Sequence, residues 1–165
     1  MPKNLATMWQ RNGDMLDEKR QWLRDFPWPA VCAIHEKLCA EAKLSPRAHD
    51  NCPEVEKLWT ANYERTMSLR EALDLCRHAR NQQPFVYLGD STFNQLVSVV
   101  LDGVAQPLPP VEAQILRNTV NHYVAGRATG RELKQVFRSF RKLLGTPSAE
   151  SAPACASAPQ TVAAK

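Results

Sequence analysis

The chain has 165 residues, 44% of them hydrophobic and 23% charged, with a formal net charge of +4. That length and balance fit one domain with a real core rather than a disordered chain or several domains. No run of apolar residues nears the ~20 that a membrane-spanning helix needs; the longest, from Phe93 to Val104, is broken by Asn94, Gln95, Ser98 and Asp102.

Helical periodicity with turn signals between the periods recurs along the sequence, and strand alternation is almost missing. An all-α fold is therefore predicted, an irregular bundle of six or seven helices over residues 1–145, followed by a disordered tail over 146–165 that is rich in Ala, Ser and Pro. The first apolar stripe, Leu5, Met8 and Trp9 and then Leu16, Trp22, Leu23 and Phe26, predicts a helix interrupted at Gly13 and stopped by Phe26-Pro27-Trp28-Pro29. Pro29 suits the first position of a second helix, whose inward face reads Val31, Ile34, Leu38 and Ala42 before Ser45-Pro46 ends it.

Asp50 or Asn51 caps the next helix, with Pro53 in its first turn and a stripe of Val55, Leu58, Trp59, Asn62, Tyr63 and Thr66. Ser68 and Glu71 form a capping-box pattern, so the chain breaks near Ser68 and restarts as a helix. Pro84 to Gly89 reads as an extended linker, because a lone strand would have no partner. Asp90 or Ser91 then caps a helix with Phe93, Leu96, Val97, Val100 and Leu101 inward and Gly103 at its end.

After the stiff connector Pro107-Leu108-Pro109-Pro110, a helix marked by Val111, Ile115, Leu116, Val120, Tyr123 and Val124 closes at Gly126. The last helix opens on a second capping box, Thr129 with Glu132, and its stripe is Leu133, Val136, Phe137, Phe140, Leu143 and Leu144. No fixed-period repeat links these segments, which favours an irregular bundle over a solenoid.

Charge is distributed unevenly. Residues 1–113 hold thirteen Lys or Arg against fifteen Asp or Glu; residues 114–145 hold seven against one. Nearly all the positive surplus lies in one predicted hairpin, with Arg127 in its loop and Arg131, Lys134, Arg138, Arg141 and Lys142 opposite the last apolar stripe. Such a helix is an ordinary solvated surface, a dock for an acidic protein, a phosphate-contacting face for RNA or DNA, or, least in keeping with the pattern, a membrane-surface helix. We read it as the docking face of a non-catalytic interaction or assembly subunit with an acidic protein partner, with RNA binding in a ribonucleoprotein as the alternative. Trp28, held between two prolines, is the tryptophan expected to be exposed as a contact residue.

Five cysteines at irregular spacing fit a reducing intracellular compartment, cytoplasm or organelle matrix, and the N-terminus has no signal-peptide pattern. Cys32, His35 and Cys39 share a helix face, and a loop could carry His49 and Cys52 across to them. Zinc is thus one reading of Cys32, His35, His49 and Cys52, and core packing is the other. The spacing matches no established zinc motif, and no cofactor is implied. Glycine-rich phosphate loops, nucleophile elbows and metalloprotease motifs are absent, so the sequence offers no catalytic residue. Asp74 and His78, four apart, form a possible local pair, and His122 reads as a half-buried structural histidine.

Overall fold

A computed structural model describes residues 14–144; the first predicted stripe as far as Gly13, and the tail, lie outside the described residues. Six α-helices and almost no strand make up the described chain: α1 (Trp28–Glu41), α2 (Cys52–Asn62), α3 (Leu69–Asn81), α4 (Gly89–Ala105), α5 (Pro110–Val124) and α6 (Gly130–Ser139). Two two-residue strands, β1 (Lys19–Arg20) and β2 (Met67–Ser68), pair antiparallel, Lys19 opposite Ser68 and Arg20 opposite Met67.

The all-α bundle follows from α4. Phe93, Leu96, Val97, Leu101 and Val104 are buried along it, and it packs against α1, α3 and α5. On α5, Leu116, Val120, Tyr123 and Val124 face the core, while Leu133 and Phe137 carry α6 onto α5 and onto the short 3-10 turn at Met15–Asp17. Apolar burial at about 25 cal/mol per Å² drives this assembly; caps fix where the helices begin. Ser68 accepts from the Glu71 backbone at 3.1 Å while the Glu71 carboxylate accepts from the Ser68 backbone at 2.7 Å, so the chain breaks near Ser68 as the sequence indicates.

Several expectations need correction. Residues 14–27 are not α-helical: Asp14 caps the 3-10 turn, β1 takes its hydrogen bonds from β2, and Leu16 and Leu23 reach the core through turns. The antiparallel pairing of Lys19 with Ser68 and of Arg20 with Met67 holds the middle of this segment extended. On α1 the buried line is Trp28, Val31, His35 and Cys39, with Ala42 exposed, so the inward face is rotated from the expected one. The extended segment around Phe85 does find a partner, an antiparallel bridge to Ala48 flanked by His49 N–H to Pro84 carbonyl (2.9 Å) and Val86 N–H to Arg47 carbonyl (2.9 Å).

Helix α4 starts at Gly89, after Leu88 in a left-handed conformation (φ 54°), rather than behind an Asp90 or Ser91 cap. Asp90 instead pairs with Arg80 at 2.8 Å. The helix also runs through Gly103, because Val104 and Ala105 are buried and draw the last turn in, outweighing the ~1 kcal/mol that an interior glycine costs. Helix α2 ends at Asn62, which leaves Thr66 exposed, and α6 ends at Ser139, earlier than its apolar stripe suggested.

Trp28 is the clearest reversal. It is 5% exposed, stacked on Phe85 (centroids 5.8 Å, 10° between planes) and tilted against Trp59 at 6.3 Å. Its two flanking prolines fix the backbone but not the side chain; at a helix's first turn the Cα–Cβ bond leans toward the N-terminal end. There it closes the core beside Trp59, whose indole N–H donates to the Phe26 carbonyl at 2.7 Å. Trp28 is a core residue and offers no contact surface.

Candidate interaction surface

The α5–α6 hairpin is closed by Gly126, whose φ of 75° suits a residue without a side chain. The His122 carbonyl accepts from Arg127 N–H (2.8 Å) and Ala128 N–H (3.1 Å), and Thr129 and Glu132 form the expected reciprocal cap. These bonds set the rotation of α6, which then buries Leu133 and Phe137.

Opposite that buried line, Arg131, Lys134 and Arg138 are exposed, as is Arg127 in the loop. Arg141 and Lys142 are exposed too, but on hydrogen-bonded turns beyond the helix, where Leu144 N–H donates to the Phe140 carbonyl at 2.9 Å. Leu144 turns inward and Leu143 outward, so the stripe does not run unbroken to its end. Among the described residues none of these six cations is in an ion pair, whereas Arg117, in the same hairpin, is neutralised by Asp102 at 2.7 Å. The hairpin therefore presents unpaired positive charge on one helix and its flanking turns.

Two arginines of α3 adjoin this surface. The Arg70 and Arg77 guanidinium groups lie 5.5 and 5.0 Å from the centre of the Tyr123 ring. A Cβ added to Gly130 would meet the Arg70 guanidinium, which rests against the first turn of α6 and would swing aside for a larger residue there. Tyr123 donates its hydroxyl to Asp74, and its own pKa is raised, mainly by burial. Asp74 does not pair with His78, which contacts Gln82 instead.

Of the zinc candidates, Cys32 and Cys52 lie near each other, the Cys52 charge helping to raise the Cys32 pKa, but the four do not form one cluster. His35 is buried and stacked on Phe85 (4.0 Å, 10°). The Thr92 hydroxyl donates to the Leu88 carbonyl at 2.8 Å and so accepts from His35 Nδ1–H at 3.3 Å; Nε2 is left to accept from the Cys39 thiol at 3.6 Å. Both ring nitrogens are thus used inside the core, and burial lowers the His35 pKa. Cys32 and Cys52 are half-buried and His49 is exposed; burial pushes the Cys32 thiol up to about 11. Among the described residues no group of three or more His, Cys, Asp or Glu could hold a metal ion.

Sequence reasoning missed the outer face of α5. Val111 (68% exposed) and Ile115 (45%) point to solvent although both belong to the apolar pattern of that helix, and His122 is exposed rather than half-buried. The adjacency of Ile115 and Leu116 was the available signal, since neighbours in sequence lie about 100° apart on a helix and cannot both sit at the centre of one face. Where this face meets α6 there is a groove of about 620 Å³ lined by Thr119, His122, Arg127, Ala128, Gln135 and Val136 among others.

Compared with protein-family models, curated proteins and solved structures, the chain matches none. Among the described residues no helix is long and apolar enough to cross a membrane.

Proposed function

We propose that the protein is a non-catalytic assembly or interaction subunit that docks an acidic protein partner through the cationic face of α6 and its flanking turns. One observation carries this reading: Arg127, Arg131, Lys134, Arg138, Arg141 and Lys142 are all exposed with no carboxylate partner among the described residues, while Leu133 and Phe137 hold their helix rigidly on the bundle. Cations concentrated this way raise the local potential, speed encounter with an acidic surface and disfavour basic ones. RNA is the second reading, favoured by Arg77, which adds a cation on α3 beyond the hairpin, whereas Arg70 is paired with Asp74 at 3.9 Å.

Affinity purification from the native cell, with and without ribonuclease, separates the two. The proposal expects an acidic protein that survives ribonuclease and is lost from the Arg138→Glu/Arg141→Glu variant, whose circular dichroism stays unchanged. Loss of the co-purifying protein on ribonuclease treatment would transfer the surface to RNA. A partner retained by the charge-reversed variant would remove the surface from consideration.

A further inference from the structure

Among the described residues six buried side-chain nitrogen or oxygen atoms meet no hydrogen-bonding group of the protein, and three of them belong to Arg80, Asn94 and Asn121. These residues sit on α3, α4 and α5, which pack on one another. The Arg80 side chain is only 15% exposed, and its guanidinium crosses the junction of the three helices. Nη2 pairs with Asp90 in the first turn of α4 at 2.8 Å. Nη1 donates to the Ala125 carbonyl at the end of α5 at 3.0 Å and to Asn81 Oδ1 at 3.3 Å.

One guanidinium holding both Asp90 and Ala125 puts those residues at the same level of the bundle. Further along, Asp102 meets Arg117, so α4 and α5 run antiparallel. Asn94 stands one turn into α4 from Asp90, and Asn121 one turn back along α5 from Ala125. Both therefore lie at one level of the α4–α5 seam, on the faces that carry the two cross-helix pairs.

The unpartnered atoms are two acceptors, Asn94 Oδ1 and Asn121 Oδ1, and one donor, Arg80 Nε–H. A polar group taken out of water and given no partner forfeits its hydration, so three at one junction call for a further group between them. That group must donate twice and accept once. The guanidinium repels a cation there, and the two amide oxygens repel an anion. Water is neutral, supplies two O–H donors and an accepting oxygen, and is the smallest molecule that does so.

We infer that one internal water molecule joins Asn94 Oδ1, Asn121 Oδ1 and Arg80 Nε, and that with the Asp90 and Ala125 contacts it forms a polar latch across α3, α4 and α5. Its consequence reaches the hairpin. Ala125 follows the last residue of α5, Gly126 turns the chain, and the Arg127 N–H returns to the carbonyl of His122, the neighbour of Asn121. The latch fixes the point from which the turn and α6 depart, whatever α6 contacts.

The test is a high-resolution crystal structure of the whole chain, together with water-edited nuclear Overhauser spectra of the ¹³C-labelled chain. One ordered water is expected within about 3 Å of all three atoms, and the spectra should connect water to the non-exchanging Cβ protons of Asn94 and Asn121 with the sign of a bound molecule. An amide of one asparagine donating directly to the other, a protein group in the water's place, or all three atoms open to bulk solvent would overturn the inference. Asn94→Leu/Asn121→Leu removes both acceptors and should expel the water. Amide hydrogen exchange at Arg127 and Ala128 should then speed at least about tenfold relative to α2. Unchanged exchange in a variant whose circular dichroism is native would show that the latch does not hold the hairpin, and the measurements on the native chain stand whether or not the variant folds.

Discussion

Phe137 and Arg138 are neighbours in sequence whose surroundings are opposite, and replacing each by alanine tests how α6 is mounted. Phe137 is fully buried among the core side chains, Arg138 exposed with no ion pair among the described residues. Truncating a buried phenylalanine removes its transfer free energy and leaves a cavity, about 3–5 kcal/mol in total; truncating an exposed arginine away from any bridge stays within about 0.5 kcal/mol. With a urea slope of roughly 1–3 kcal/mol/M for a small domain, Phe137→Ala should lower the unfolding midpoint by about 1–5 M and Arg138→Ala by a few tenths at most. Urea titrations followed by far-ultraviolet circular dichroism and by tryptophan emission read this directly. Trp28 and Trp59 lie in the cluster with Phe85 and Phe93, on elements other than α6, so early loss of helix signal alone would show α6 undocking before the rest. Equal midpoints for the two variants would mean that α6 faces the other way, and the whole account of its cationic surface would be wrong.

Other outcomes follow from the same geometry. Thr129→Ala should cost about 1 kcal/mol by removing the reciprocal cap of α6, and Thr129→Ser should recover most of it, both read from urea midpoints. Gly103→Ala should stabilise by about 0.5–1 kcal/mol in thermal or urea melts, since nothing lies within 4 Å of the added Cβ; destabilisation would contradict the helical assignment there. His35 has a folded pKa below its ordinary 6.5, so its contribution is full above pH 6.5 and is lost as pH falls from there through the folded value; an NMR titration placing the His35 pKa above 6.5 would refute this. Cys76 is fully buried with its thiol pushed up to about 12, and iodoacetamide should modify it only after unfolding.

Where local chemistry and periodicity agree, the fold was readable from the residues. Ser68 with Glu71 and Thr129 with Glu132 announced two helix starts that the hydrogen bonds reproduce. Tertiary partners decided the rest. Leu16 and Leu23 are spaced as on a helix yet reach the core through turns, because β2 supplies backbone hydrogen bonds that no local rule anticipates. His35 is buried because Thr92, fifty-seven residues away, and Cys39 satisfy its two nitrogens, and that rotated the inward face of α1. Trp28 looked exposed because sequence shows its prolines but not the Phe85 ring waiting above it. The cationic surplus was legible by counting; that Arg117 alone of its seven cations is in an ion pair among the described residues required the packing of the hairpin.

The central claim, that α6 and its flanking turns meet carboxylates of another protein, is tested most directly by zero-length carbodiimide cross-linking of the native complex. That reagent joins a lysine amine only to a carboxylate in contact with it. The account predicts cross-links from Lys134 and Lys142 to aspartates or glutamates of a second chain; cross-links to the partner from Lys37, Lys43 or Lys57, with Lys134 and Lys142 unmodified, would contradict it.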